Sequence, residues 1–298
     1  MIRILLLLLT ASIVHSCALN KIFLDPIVTV NADKYKIYSP EHKDTISLAF
    51  HPTNDPTFTH SNNKEMESNY SIDNSYFINS NGDSTNYWLI TPKNYNGTTL
   101  YFLHGNRGNI PFNFPLAEPF AKKGYQVFMI DYSGFGYSKG KLKRKNVLLD
   151  GNEGLDHLTK TVTYDKLIIY GQSLGGHLSC AVAQMNQEKI DGLVVEGAFS
   201  SHKDIAAETV PVLSRIVVRE MYSGEKNLPK LNKPVLIIHS TEDARIPFDH
   251  GQKLFSVANE PKMFYQIENR HIFGPLYYID SITEKIEELL ELPLVESN

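Results

Sequence analysis

The run Tyr170-Gly171-Gln172-Ser173-Leu174-Gly175-Gly176 constrains this chain more than any other stretch. It follows a short apolar segment, Lys166–Gly171, and opens a helix-forming one, Leu174–Gln187. G-x-S-x-G between a strand and a helix is a nucleophile elbow, a turn so tight that the positions two before and two after the serine cannot carry bulky side chains. The serine Oγ then stands at the edge of a sheet. The following helix aims its free N–H groups and partial positive charge at any oxyanion that forms there.

Such an elbow needs a sheet to stand on, and from about residue 73 the chain supplies one. Short β-rich runs (Ser75–Asn79, Thr85–Thr91, Thr98–His104, Gln126–Asp131, Lys166–Gly171, Gly192–Glu196, Pro234–His239 and Met263–Ile267) alternate with helix-like stretches such as Leu116–Lys123, Val147–Thr161 and Leu174–Gln187. Several runs are continuously apolar, as parallel strands covered on both faces must be. The pattern predicts an α/β protein with a doubly wound, mostly parallel sheet. Its functional groups belong at the carboxyl ends of the strands. The composition agrees: 298 residues, 42% hydrophobic and 21% charged, exclude a disordered or collagen-like chain. The net charge of −4 gives no general attraction to nucleic acid. Only Cys17 and Cys180 are present, too few for a disulfide framework or a cysteine-rich zinc site.

The segments after the other strands supply the partners a serine nucleophile needs. After Thr98–Leu103 comes His104-Gly105-Asn106-Arg107-Gly108-Asn109, where Gly105 permits close backbone approach. The Asn106 N–H, paired with that of Leu174, is expected to form the oxyanion hole. His104 is expected to pack under this loop rather than act. An acid and then a histidine should follow the serine in chain order. Asp243 lies in the turn beyond Pro234–His239, and His271 follows the last strand. Glu196 and Glu242 are rival acids; Asp243 is preferred. The expected triad is therefore Ser173, Asp243 and His271.

Four motifs carry a resemblance: the segments 104–109 and 170–176, Asp131-Tyr132-Ser133-Gly134-Phe135-Gly136-Tyr137-Ser138-Lys139-Gly140, and His239-Ser240-Thr241-Glu242-Asp243. Over about residues 75–290 the chain resembles serine hydrolases of the alpha/beta-hydrolase superfamily, in the lidless branch of depalmitoylase-like and serine-aminopeptidase-like domains. The family places a glycine directly before its base, whereas Arg270 precedes His271 here. The resemblance implies an alpha/beta-hydrolase fold without a large cap. It also implies cleavage of acyl esters or thioesters through an acyl-enzyme, with no metal or organic cofactor. A serine peptidase of the same fold is the alternative, and a non-catalytic binding lipoprotein a more distant one. The substrate would be a small acyl compound or an acylated protein or lipid.

Three further stretches have plainer readings. Between the strands ending at Glu196 and beginning at Pro234 there is room for one or two helices. There Val212, Leu213, Ile216, Val217 and Met221 recur at helical spacing and are expected to face the core. Lys139, Lys141, Lys143, Arg144 and Lys145 form a basic cluster, read as a solvated loop. Cys180 is expected to be a small buried residue.

The N-terminal residues carry a separate signal. Met1–Ser16 combines Arg3 with an apolar run too short to span a bilayer, which needs about 20 residues. It reads as a secretory signal peptide. Val14-His15-Ser16-Cys17 resembles a bacterial lipobox, which would make Cys17 a lipidated first residue of a membrane-anchored cell-envelope protein. The alternative is a plain secreted or periplasmic protein. Residues 17–72 are then a tether and polar arm ahead of a hydrolase domain over 73–298, with one short edge strand expected near Phe50-His51-Pro52. About 40 flexible residues would give the tether a reach of roughly 35 Å.

Overall fold

The computed structural model describes residues 23–28, 33–39, 44–51, 54–62, 64–66, 68–209 and 218–293. The signal segment 1–16, Cys17, and Val212, Leu213, Ile216 and Val217 lie outside the described residues, while Met221, expected to face the core, is exposed. Strand β1 (Asp25–Pro26) is followed by β2 (Asp33–Ser39), β3 (Asp44–His51) and β4 (Asn54–Thr59). The last three form an antiparallel sheet in the order β2-β3-β4. The residues near Phe50 and His51 thus end the central strand of a small sheet, not an edge strand. Its pairing slips at a bulge between Ala49 and His51. Ile46, Leu48 and Phe58 are buried against the main body, with the Phe58 and Phe114 rings 5.0 Å apart. Each such side chain contributes about 1.5–3 kcal/mol of burial. The stretch read from its polar composition as an arm is therefore docked.

The main sheet is built from β5 (Tyr70–Ile78), β6 (Ser84–Pro92), β7 (Thr98–Leu103), β9 (Gln126–Ile130), β10 (Lys166–Gln172), β11 (Gly192–Glu196), β12 (Val235–Ser240) and β13 (Lys262–Ile267). A two-residue strand, β8 (Arg107–Gly108), pairs with β1 outside it. The eight strands lie in the order β13-β12-β11-β10-β7-β9-β6-β5. The β5–β6 and β6–β9 pairs are antiparallel and the rest are parallel. From β7 the chain moves out to β9 and returns to β10 on the other side. The carboxyl ends of β7 and β10 therefore flank a topological switch point, where open α/β sheets place their sites.

Helices cover both faces: α1 (Ile110–Lys122), α2 (Arg144–Thr161), α3 (Leu174–Met185), α4 (His202–Thr209), α5 (Gly224–Asn227), α6 (Phe248–Val257), α7 (Gly274–Tyr277) and α8 (Ile279–Glu291). Alternate residues of β7 divide the core. Tyr101 and Leu103 pack with Phe128, Ile169 and Leu178 on one face. Leu100 and Phe102 pack with Ile168, Tyr170 and Phe120 on the other. This two-sided burial is why the strands read as unbroken apolar runs.

Helix α1 begins six residues before the expected Leu116. Asn109 caps it by accepting the Phe112 N–H at 3.0 Å, and Pro111 sits in the first turn, where its missing N–H costs nothing. Pro115 and Pro119 lie inside the helix and each removes one helical donor. Helix α2 likewise starts inside the basic cluster. Arg144 is half-buried, with Nη1 donating to the Arg219 carbonyl at 2.9 Å, while Lys139, Lys141, Lys143 and Lys145 are exposed. Among the described residues no helix is long and apolar enough to cross a membrane.

The elbow that ends β10 depends on absent side chains. A Cβ on Gly175 would lie 1.9 Å from the Leu103 carbonyl oxygen and 2.5 Å from its carbon, both immobile backbone of β7. Gly175→Ala should therefore lose at least about 1–3 kcal/mol of stability in urea unfolding. At Gly192 the nearest atom to an added Cβ is the Leu289 Cδ2, 3.4 Å away, an ordinary contact. Gly192→Ala should be neutral or stabilising by up to about 1 kcal/mol. Equal losses at the two positions would show that the close approach of α3 to β7 does not constrain the turn.

Candidate active site

Ser173 has φ 54° and ψ −116°, a conformation costly for a residue with a side chain. The surrounding backbone imposes it. The Ser173 N–H donates to the Glu196 carbonyl at 2.9 Å, which fixes the turn to β11. A Cβ on Gly171 would come within 2.4 Å of the Gly175 carbonyl oxygen, so the chain doubles back on itself across the serine. Leu174 is the first residue of α3, and its N–H is among those with no partner inside the helix.

The structure brings Ser173, His271 and Asp243 together from three strand ends. His271 Nε2 lies 2.9 Å from Ser173 Oγ, and His271 Nδ1 lies 2.6 Å from Asp243 Oδ2. The other carboxylate oxygen, Oδ1, accepts the N–H groups of Arg245 at 2.8 Å and Ile246 at 2.9 Å. Burial pushes the Asp243 carboxyl up. The hydrogen bond and charge of His271, with the two N–H donors, outweigh it and hold the group below its ordinary value. An anionic Asp243 fixes the Nδ1–H tautomer, so Nε2 presents its lone pair to the serine hydroxyl. The loop holding His271 is itself strained: Ile272, a β-branched residue, sits at φ 54°. The special backbone position thus follows the histidine, where the resembling family has its glycine before it.

Ser240, at the end of β12, joins the acid and histidine loops. Its Oγ accepts the N–H groups of Asn269 at 2.9 Å and Glu242 at 3.1 Å and donates to the Asn269 carbonyl. Sequence reasoning missed this residue, because a serine ending a strand carries no spacing signal of its own. Glu242 is exposed and enters this network through its N–H.

Glu196 occupies a different place from Asp243. It is buried at the end of β11, where Oε2 accepts from Tyr170 Oη at 2.7 Å and Gln172 Nε2 at 2.6 Å. Its Oε1 accepts the Gly274 N–H at 2.8 Å, and Gln172 also donates to the Ile272 carbonyl at 3.2 Å. This carboxylate therefore ties the elbow strand to the segment just after His271, without bonding the imidazole. Burial pushes its pKa up, against the lowering effect of its three donors.

The loop after β7 closes the other side. A Cβ on Gly105 would meet Ser173 Cβ at 3.5 Å, so this backbone lies against the serine, and Asn106 follows it. The Asn106 side chain faces away, with Oδ1 accepting the Asp25 N–H at 2.7 Å. β1 pairs with β8 here, and the Gly136 N–H donates to the Ile27 carbonyl at 2.9 Å. His104 is fully buried beneath, with Nδ1 2.8 Å from the Gly105 carbonyl oxygen and Nε2 3.4 Å from Asp131 Oδ1. It packs under the loop, as expected. Cys180 is also buried, and burial pushes its thiol up to about 12, which keeps it protonated.

With this geometry in view, the comparisons decide the family. A profile described as the alpha/beta hydrolase fold matches residues 98–217. The YfhR protein of Salmonella typhi is 30% identical over 262 residues, covering 81% of this chain and 80% of that protein. The chain belongs to the alpha/beta hydrolase fold family. The YfhR protein of Escherichia coli O157:H7 is 34% identical over 179 residues, and that match spans 58% of this chain and 63% of the relative. Among solved structures, the Pyrococcus furiosus esterase Pf2001 superposes with a TM-score of 0.62 at 16% identity, over 74% of this chain and 92% of the esterase. At that identity the likeness extends to the fold.

In this alpha/beta hydrolase the buried Glu196 has a measurable signature. A carboxyl with a raised folded pKa binds more protons in the folded than in the unfolded chain above its ordinary 4.5, so its contribution to stability falls as pH rises. Gln cannot ionise. The unfolding free energy of wild type minus that of Glu196→Gln should therefore decline as pH is raised from 4.5 towards neutrality, measured by denaturant titration at each pH. A difference that grows with pH would mean that the donors, not burial, dominate this site.

Proposed function

We propose that this alpha/beta hydrolase is a serine esterase or thioesterase working through an acyl-enzyme. The observation that carries the reading is the Ser173–His271–Asp243 relay, with contacts of 2.9 and 2.6 Å on a strained elbow. His271 Nε2 removes the Ser173 proton as Oγ attacks the acyl carbon. Asp243 holds the imidazole and stabilises its positive form. The N–H groups of Asn106 and Leu174 are assigned to the oxyanion, each worth about 3–4 kcal/mol in the transition state. His271 then returns the proton to the departing alcohol or thiol. Water, deprotonated by the same imidazole, attacks the acyl-enzyme and releases the acid. The steps need no cofactor.

Three variants test the roles. Ser173→Ala should abolish hydrolysis of acyl p-nitrophenyl esters and labelling by a fluorophosphonate probe while the far-ultraviolet circular dichroism stays unchanged. Asp243→Asn should lower kcat by about 10⁴-fold, because the wrong tautomer is then favoured. Glu196→Gln should cost no more than about tenfold, the equivalent of about 1.4 kcal/mol. Full activity in Ser173→Ala would defeat the reading, and the reverse ranking of the acids would move the orienting role to β11. Acyl thioesters and aminoacyl amides in the same panel separate a thioesterase from a peptidase.

The same reading places the enzyme in the cell envelope, anchored through a lipid on Cys17. Support comes from the Val14–Cys17 sequence and from the pairing of Asp25–Pro26 with Arg107–Gly108. Because Phe23 and Leu24 are buried in the domain, about six residues of chain, at most about 20 Å, would separate the lipid from it. That is shorter than the roughly 35 Å tether expected from composition alone. It would hold the loop beside Ser173 near the bilayer, where an acyl substrate partitions. Detergent phase separation after bacterial expression tests the anchor. Wild type should enter the detergent phase and Cys17→Ser the aqueous phase. If both remain aqueous, with a mature N-terminus other than residue 17, the enzyme is simply secreted.

A further inference from the structure

A second buried cluster of titratable side chains lies one helical turn past the elbow. His177 projects from the first turn of α3, His202 opens α4, and Glu220 lies in the segment returning towards β12. Both imidazoles are fully buried, and the Glu220 side chain is 9% exposed. One ligating atom from each of the three lies within 4.8 Å of the other two. The proposed acyl-transfer chemistry uses none of them.

Hydrogen counting shows that these groups do not satisfy one another. His177 Nδ1 faces the Phe199 carbonyl oxygen at 2.9 Å, while Nε2 faces the Tyr222 carbonyl oxygen at 2.9 Å and His202 Nδ1 at 3.1 Å. His202 Nδ1 in turn faces Glu220 Oε1 at 2.7 Å. Carbonyl and carboxylate oxygens only accept, and a neutral imidazole has one N–H. If Nδ1–H of His177 donates to Phe199, then its Nε2 lone pair points at the Tyr222 oxygen and at another ring nitrogen. If Nε2–H donates instead, the Nδ1 lone pair points at Phe199. A second proton would charge a completely buried ring, and the nearby carboxylate, that of Glu220, already faces His202 Nδ1 and accepts two backbone N–H groups.

We propose that His177 Nε2, His202 Nδ1, Glu220 Oε1 and the Tyr222 carbonyl oxygen form a closed binding site for a divalent transition-metal ion, zinc by ligand type. Two imidazoles and a carboxylate are a characteristic zinc donor set, whereas calcium and magnesium take oxygen. A cation at the centre accepts the lone pairs that otherwise face one another. His177 Nδ1–H is then free to donate to Phe199, the orientation that ligating imidazoles take from an outer partner. The Glu220 carboxylate is fixed in the same way, by the N–H groups of His202 at 3.2 Å and Lys203 at 3.2 Å. A site with four protein donors and buried rings has a structural role. It would fasten the segment between β11 and β12 to α3, the helix that begins at the nucleophile.

The test uses the full chain carrying an affinity tag free of histidine. After dialysis against metal-free buffer, plasma mass spectrometry should find about one zinc ion per chain, and Glu220→Gln and His202→Gln should retain less than a tenth of it. Since either variant could fold poorly, wild type supplies the decisive measurement. Removing the metal with a chelator should lower the thermal midpoint by at least about 5 °C, and one equivalent of zinc should restore it. Cobalt substitution should give the visible absorption of a tetrahedral nitrogen–oxygen site. Wild type that carries no metal, and whose midpoint neither chelator nor added zinc shifts, overturns the proposal. So does a variant that folds normally and retains the full metal content.

Discussion

The strained backbone of Ser173 is the constraint on which the rest of this structure depends. A φ of 54° with ψ −116° persists only where the surroundings over-determine it. Here they do so through contact distances that leave no room for a Cβ: Gly175 against the Leu103 carbonyl, Gly171 against the Gly175 carbonyl and Gly176 against Ala198. The consequence is chemical. β10 must stop at Gln172, α3 must begin at Leu174, and the one side chain between them stands at the switch point of the sheet. Every other element of the site is placed by how it reaches that side chain.

Reaching it takes two loops from neighbouring strands, and loops are mobile unless something holds them. Buried polar groups do the holding here. Ser240 joins the Asp243 turn to the His271 loop, and Glu196 joins β10 to Gly274 beyond the histidine. The buried Asp131 carboxylate accepts the Ile110 N–H at the start of α1, beneath the loop that follows β7. A half-satisfied carboxylate in such a position is costly, and both oxygens of Glu196 have donors. The imidazole therefore meets the serine at 2.9 Å through connections that run mostly through backbone N–H groups, which sequence change does not readily remove.

The fold and the three residues of the relay were legible because each leaves a pattern that survives in sequence. Two-sided burial makes apolar runs, the elbow needs small residues at fixed offsets, and topology fixes the order serine, acid, histidine. The residues that hold the loops leave no such pattern. Ser240 and Gln172 act through contacts between strands distant in sequence, and a single polar residue at a strand end has no period. The small sheet over 33–59 was hidden by composition. Ile46 and Leu48 alternate as a half-buried strand should, but polar neighbours and the prolines at 40, 52 and 56 masked the period. Helix α1 extends six residues ahead of the stretch legible from Leu116, because burial of Ile110, Phe114, Ala117 and Phe120 overrides the cost of Pro115 and Pro119 inside it.

Burial also separates the two acids that the sequence left in competition. Glu196 ends β11 and Asp243 lies in the turn just past the end of β12, and both are largely removed from water. Asp243 has two backbone donors on one oxygen and leaves the other for the imidazole, so its negative charge is directed at the ring. Glu196 accepts from Tyr170 and Gln172 on one oxygen and from the Gly274 N–H on the other. Its hydrogen bonds go to the elbow strand and to Gly274 rather than to the imidazole, so it serves as a tie between the elbow and the histidine loop. The division follows from where the N–H groups point, a property of the folded backbone that residue identity alone does not encode.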